Sequence, residues 1–223
     1  MRRVLFCMLV LIASPAAART LACGGMVAPQ LAYPDANGTW HGLEVRLCRT
    51  IAAKIGARAV FTPIMRASDV PPPGDGRSVM FLPAGEIAAG YSPGPVIYDD
   101  NQALMVPAGS KVLDAAGLAD AEICVRPGSA AAFRLRAYFA AHGIALRIFG
   151  FQEAGEMHDA YRDGRCDAIT GRKSERISLR ASEGRDDVIL PDDLGDHFIR
   201  AATPAARPGW AARVARIIEE KHP

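Results

Sequence analysis

Four consecutive residues, Pro127-Gly128-Ser129-Ala130, carry the clearest chemistry in the chain. They follow the apolar run Ile123-Cys124-Val125 and precede a stretch with helical apolar spacing, so they form a turn that feeds the start of a helix. The first N–H groups of a helix lack intrahelical acceptors and stand at the positive end of its dipole. Gly128, Ser129 and Ala130 are therefore candidates for holding a carboxylate or similar anion. Ser129 is expected to cap the helix and touch the anion, because neither a nucleophile elbow nor a sequence-evident base accompanies it.

Arg172 approaches the same region from the run that begins at Cys166. With Arg176 and Arg180 it forms a series spaced by four, which a helix would carry on one face. A solvated stripe is the expected role of such a series, and only Arg172 has a positional argument for a ligand site. An inward Arg172 would favour an anion or a dicarboxylate over a zwitterion. Glu86, behind an apolar run and after Ala84-Gly85, is read either as an acidic ligand contact or as a helix-start acid. Asp99 and Asp100 are expected to make a turn, since two adjacent carboxylates without further oxygen ligands are a poor cation site. His41, His142, His158, His197 and His222 show no paired spacing of the kind a metal cluster needs. No catalytic residue, metal site or cofactor is expected.

These residues need strands and helices to place them. Leu21 to Val27 reads as a strand, followed by the turn Pro34-Asp35-Ala36-Asn37-Gly38-Thr39. Leu43, Leu47, Ile51 and Ile55 recur every four residues and predict an amphipathic helix ended by Gly56. Ala59 to Thr62 is a second strand, which makes β–α–β and hence a parallel sheet. The Pro- and Gly-rich stretch from Ser68 to Arg77 is a loop. Val79–Leu82 and Ala103–Val106 read as buried strands, with Tyr91–Pro95 extended between them. A second β–α unit starts at Glu122, with Phe133, Leu135, Ala137, Phe139 and Ala140 on a broad apolar helix face and Leu146–Phe149 as its next strand. Met157, Ala160 and Tyr161 mark a short helix, Asp167–Thr170 a strand, and Trp210, Val214, Ile217 and Ile218 a closing helix.

Residues 1–18 combine Arg2 and Arg3, an apolar run and Ala16-Ala17-Ala18, the pattern of an export signal. Of five cysteines, Cys7 lies in that segment, and Cys23, Cys48, Cys124 and Cys166 remain for an oxidising compartment. Three connectivities are possible. Cys23 to Cys48 and Cys124 to Cys166 are favoured, because each pair would lie within one strand–helix unit at matching places in the two halves. Lys plus Arg is 26 against Asp plus Glu 24, a net charge of +2, which gives no support to nucleic-acid binding.

The segments Pro34 to Arg49, Glu122 to Ser129, Gly164 to Asp167 and Val188 to Pro191 give the chain a resemblance to the family 3 extracellular solute-binding proteins, the receptors of polar amino-acid ABC importers, and among these to the general L-amino-acid-binding branch. The resemblance implies an α/β, two-lobe periplasmic-binding-protein-like fold of type II, each lobe a small mixed sheet flanked by helices. Lobe 1 is expected over 19–101 and 198–223, and lobe 2 over 102–197 with the crossover segments. Such receptors hold an amino acid by a first-lobe arginine, the start of a second-lobe helix and a second-lobe acid. Gly128, Ser129 and Ala130 match the helix start. The first-lobe segment reads Phe81-Leu-Pro-Ala-Gly-Glu86-Ile without an arginine, and Gly171-Arg172 stands where the acid is expected. Leu31 takes the place of the stacking aromatic, with Tyr33 close by. The implied role is that of a monomeric periplasmic receptor for a small polar or anionic metabolite, amino-acid-like or a carboxylate, working with an ABC permease. An accessory protein serving a periplasmic quinoprotein dehydrogenase or similar enzyme partner is the alternative. Catalysis in the same cleft ranks third.

Overall fold

Several apolar runs read above are buried at every position, and such strands need cover on both faces. The computed structural model, which describes residues 19–74 and 76–220, supplies it with two separate sheets. The export signal read over residues 1–18 lies outside the described residues. In chain order the elements are β1 (Thr20–Met26), β2 (Tyr33–Pro34), β3 (Trp40–His41), α1 (Leu43–Lys54), β4 (Arg58–Ile64), β5 (Ser78–Pro83) and β6 (Tyr91–Asp99). There follow β7 (Gln102–Val106), β8 (Glu122–Val125), α2 (Ala130–Ala141), β9 (Arg147–Gly150), α3 (Ala154–Arg162), β10 (Ala168–Arg172), α4 (Lys173–Glu183), β11 (Val188–Ile189), β12 (Phe198–Pro204) and α5 (Pro208–Glu219).

The first sheet runs β4-β1-β5-β12-β6, and the second β11-β7-β10-β8-β9. Strand β1 is parallel to β4 and β5, while β12 runs antiparallel to β5 and β6. In the second sheet β8 is parallel to β9 and β10, and β7 is antiparallel to β10. Each sheet is thus mixed, and the fold is the two-lobe α/β arrangement. Val79 and Phe81 of β5 enter one core with Leu47, Ile51, Trp210 and Val214, whereas Met80 and Leu82 enter another with Ile64 and Tyr91. The second sheet repeats the device: Leu104 and Ile123 pack with Leu135 and Phe139 of α2, and Met105 and Cys124 with Met157 and Tyr161 of α3.

The chain passes between the sheets twice, at Asp99–Gln102 and at Gly195–Phe198. The two passages bond to each other: Asp100 N–H donates to the His197 carbonyl at 3.0 Å, and His197 N–H to Asn101 Oδ1 at 2.9 Å. Disulfides join Cys23 to Cys48 and Cys124 to Cys166, the pairing favoured from the sequence.

Three features differ from the sequence reading. Tyr91–Pro95 belongs to a nine-residue strand, β6, which tolerates Pro93 and Pro95 because it lies at the sheet edge and pairs only with β12. Strand β12 is not evident from the sequence, because alternation is confined to Phe198–Ala201 and the rest, Ala202-Thr203-Pro204, is buried but carries little strand preference. Phe133 is 74% exposed, and the buried stripe of α2 is Ala132, Leu135 and Phe139. Alanines make both sides of α2 apolar, so spacing alone selects the wrong one.

Glu44, in the first turn of α1, is wholly buried, and neither carboxyl oxygen has a hydrogen-bond partner among the described residues. It fits only because Gly25 has no side chain, since a Cβ there would lie 1.8 Å from Glu44 Oε2. Burial first, and the nearby Asp100 second, push its pKa well above the ordinary value of 4.5. The folded protein then keeps this proton after the unfolded chain has lost it, so the contribution of Glu44 is greatest below pH 4.5 and declines as pH rises towards the folded pKa. We expect Glu44→Gln to remove that decline. Urea unfolding at stepped pH should show wild type losing stability relative to the variant as pH rises above 4.5, and a pH-independent difference would refute this.

The closed loops of the disulfides span 25 and 42 residues. Replacing either pair by serine is expected to cost about 3 to 4 kcal/mol, with the larger loss for Cys124/Cys166, as measured by denaturant unfolding.

Candidate functional site

A cavity of about 710 Å³ lies between the two sheets, in the size range of small-metabolite sites. The first lobe contributes Pro29 and Glu86, the second crossover His197, and the second lobe the rest. Ser129 caps α2, its Oγ accepting from Ala132 N–H at 3.1 Å while donating to the Arg126 carbonyl at 2.7 Å. That hydroxyl is therefore occupied as a cap. The N–H groups of Ala130 and Ala131, both of which line the cavity, precede the first intrahelical acceptor.

Gln102 and Thr170, which also line the cavity, are buried and hydrogen-bonded to each other. Gln102 Nε2 donates to the Ala131 carbonyl at 2.8 Å and to Thr170 Oγ1 at 2.9 Å, and Thr170 Oγ1 donates to the Ala103 carbonyl at 3.1 Å. These bonds fix the start of α2 to the ends of β7 and β10.

Among the residues singled out from sequence, Ser129, Ala130, Arg172 and Glu86 line the cavity. Gly128 stays in the turn beside it, and Tyr33, 42% exposed, sits on β2 with its ring 6.2 Å from that of His41. Leu31 is buried in the first-lobe core. Glu86 is exposed at the end of a three-residue turn, Ala84–Glu86, too short for a helix dipole to matter.

The arginine series is not a solvated stripe. Arg176 is 2% exposed, because the face that carries it is the one α4 turns inward. Regular spacing identifies a shared face but not its direction. The Nη2 of Arg176 lies 3.4 Å from His158 Nε2, and Nε and Nη1 have no partner among the described residues. Arg180 instead donates to the Asp187 carbonyl at 3.3 Å and does not line the cavity.

Four arginines, Arg126, Arg134, Arg172 and Arg176, stand against two glutamates, Glu86 and Glu175, around the cavity. The histidines respond to this excess. Burial, then Arg172 and Arg134, lower the pKa of His197 from 6.5 to about 4, and burial, then Arg176, lower that of His158. Both are neutral near pH 7. An enclosed, arginine-rich space that disfavours further positive charge suits an anion.

Sequence reasoning missed His158, His197, Gln102 and Arg134 at this site. Arg134 had a usable signal, since it lies one turn beyond Ala130 on α2 and so shares the side of the helix start. The histidines had none, because they come from α3 and the second crossover.

Fold and site together define a two-lobe binding protein with an anion-favouring cleft. No family model matches the chain. Individual relatives do: the general L-amino acid-binding periplasmic protein AapJ of Rhizobium johnstonii is 31% identical over 195 residues, covering 80% of this chain and 54% of that protein. The glutamate/glutamine/aspartate/asparagine-binding protein BztA of Rhodobacter capsulatus is 29% identical over 178 residues, 72% of this chain and 51% of its own length. The chain spans about half the length of these curated relatives. A solved substrate-binding domain of an amino acid ABC transporter from Streptococcus pneumoniae superposes with a TM-score of 0.72 at 16% identity, covering 91% of this chain and 92% of that domain. The chain is thus similar over most of its length to two amino-acid-binding periplasmic proteins, and its fold is the two-lobe one of the solved domain.

The electrostatic account of the cleft is testable at His197. An NMR titration should place its midpoint near pH 4, and Arg172→Met should raise it. Because the folded pKa lies below the ordinary 6.5, the stability tied to His197 is present above pH 6.5 and is lost as pH falls towards about 4. A His197 midpoint at its ordinary value would contradict this account.

Proposed function

We propose that the chain is a periplasmic receptor that captures a small carboxylate-bearing metabolite, amino-acid-like or a simple carboxylate, and presents it to an ABC importer. The observation that carries this reading is the excess of arginine around the start of α2, where Arg126, Arg134, Arg172 and Arg176 line the cavity against Glu86 and Glu175. The similarity to the amino-acid-binding proteins AapJ and BztA supports the amino-acid-like end of the range. Replacement of the expected ammonium-binding acid by Arg172 supports the carboxylate end.

The lobes would be residues 19–101 with 198–223, and 102–197, following the membership of the two sheets. Gly128, Ser129, Ala130 and Arg172 would form the anion-holding corner, with Glu86 meeting the ligand from the first lobe and Tyr33 at the rim. The protein would act as a monomer and without chemistry. Closure would be a population shift, the ligand favouring the closed form by whatever contacts it adds from both lobes.

Calorimetric titration with L-glutamate and succinate tests this. Arg172→Ala is expected to weaken binding by about tenfold or more, the loss of one charge-assisted hydrogen bond. Arg180→Ala, outside the cavity, should change it by less than about twofold. Equal effects of the two substitutions, or tight binding of the purely cationic putrescine, would defeat the reading.

A further inference from the structure

Arg176 is the largest fully buried side chain among the described residues. Its guanidinium lies against the backbone of Gly171, where an added Cβ would come within 2.9 Å of both Nε and Nη2. Only glycine permits that approach. The charge placed there is nevertheless poorly matched. The Nη2 meets neutral His158 at 3.4 Å, and the Glu175 carboxylate stands 3.8 Å away, already accepting from Arg172 N–H at 3.2 Å. The Nε and Nη1 groups have no acceptor among the described residues.

A guanidinium does not shed its proton in a protein, so burial cannot be relieved by neutralisation. Leaving such a charge unpaired costs several kcal/mol, whereas an apolar side chain of similar volume is commonly neutral or stabilising at a buried ionic position. Packing therefore gives no reason for an arginine here. The position is explained when an acceptor comes from outside, and Arg176 lines the same cavity as the start of α2. Glu175 is the one anion that both lines the cavity and approaches Arg176 among the described residues, and it reaches only Nη2.

We propose that Arg176 is a second anchor in the cleft and that the ligand is accordingly a small dianion, most simply a dicarboxylate. One carboxylate would rest on the N–H groups of Ala130 and Ala131. The other would take the free Nε and Nη1 of Arg176, whose planar fork matches a carboxylate. This rests on the reading of the cleft as a carboxylate receptor and specifies its substrate class.

The test titrates succinate, glutarate and adipate against butyrate, pentanoate and hexanoate, which have the same chain lengths and one carboxylate fewer. Wild type is expected to bind at least one diacid about tenfold more tightly than its monoacid counterpart. Arg176→Met should abolish that preference and, without ligand, melt no lower than wild type. Arg176→Lys, which keeps the charge and loses the fork, should retain part of the preference. The inference is overturned if wild type binds diacid and monoacid equally, if Arg176→Met keeps the preference, or if that variant melts several degrees lower with unchanged binding. Failure of every acid to bind wild type would overturn the receptor reading itself, and the second anchor with it.

Discussion

The arrangement of the cleft depends on the carboxylate of Asp100. This residue is wholly buried at the first crossover, where its Oδ1 accepts from Ser174 N–H at 2.8 Å and its Oδ2 from Ser174 Oγ at 3.0 Å. Both bonds hold the first turn of α4, so the helix start is fixed to the passage between lobes. Burial raises the Asp100 pKa, while the two Ser174 bonds and the charge of Arg172 pull it back down. A carboxylate so placed also meets the positive end of the α4 dipole. Arg172 and Arg176 stand on either side of Ser174, so their positions follow from this anchor. The pair Asp99-Asp100, read from sequence as a turn, does form one, with Asp99 accepting from Asn101 N–H at 3.2 Å. Its second member in addition holds the helix that carries the cleft arginines.

The wall of the cleft is unequal. Nearly all its polar groups belong to the second lobe, and the first lobe offers Pro29 and Glu86. A ligand bound to one lobe alone stabilises open and closed forms equally and shifts nothing. Closure would have to draw on the first-lobe side, where Glu86 lines the same cavity as the four arginines.

Much of this was legible in the sequence. Strands β1, β5 and β7 and helices α1 and α5 follow from hydrophobic runs and four-residue spacing, because burial dictates those patterns directly. The helix start at Ser129 was legible for the same local reason, a cap residue after Pro-Gly. Arg176 was not. Spacing placed it on a face with Arg172 and Arg180, but the inward direction of that face is a tertiary fact, set by the packing of α4 on the sheet and by the vacancy at Gly171. Residues His158 and His197 come from separate segments that only the fold joins. Strand β12 escaped because Arg200 interrupts its apolar residues and alanine and proline make up most of its second half, so it forms no apolar run like those of β5 and β7.

The disulfides set which parts move. Cys23–Cys48 ties β1 to α1, and Cys124–Cys166 ties β8 to the segment entering β10, so each stiffens one lobe and neither spans the cleft. Buried apolar strands fill both faces of each sheet, which leaves little freedom inside a lobe. Between the lobes the covalent links are the two crossovers, joined by a few backbone hydrogen bonds around Asn101 and His197. Motion is therefore concentrated at that hinge. Because His197 is both a hinge residue and part of the cavity wall, a ligand that changes the charge around its ring acts on the hinge itself. The low pKa of that ring comes first from its burial at the hinge and then from Arg172 and Arg134.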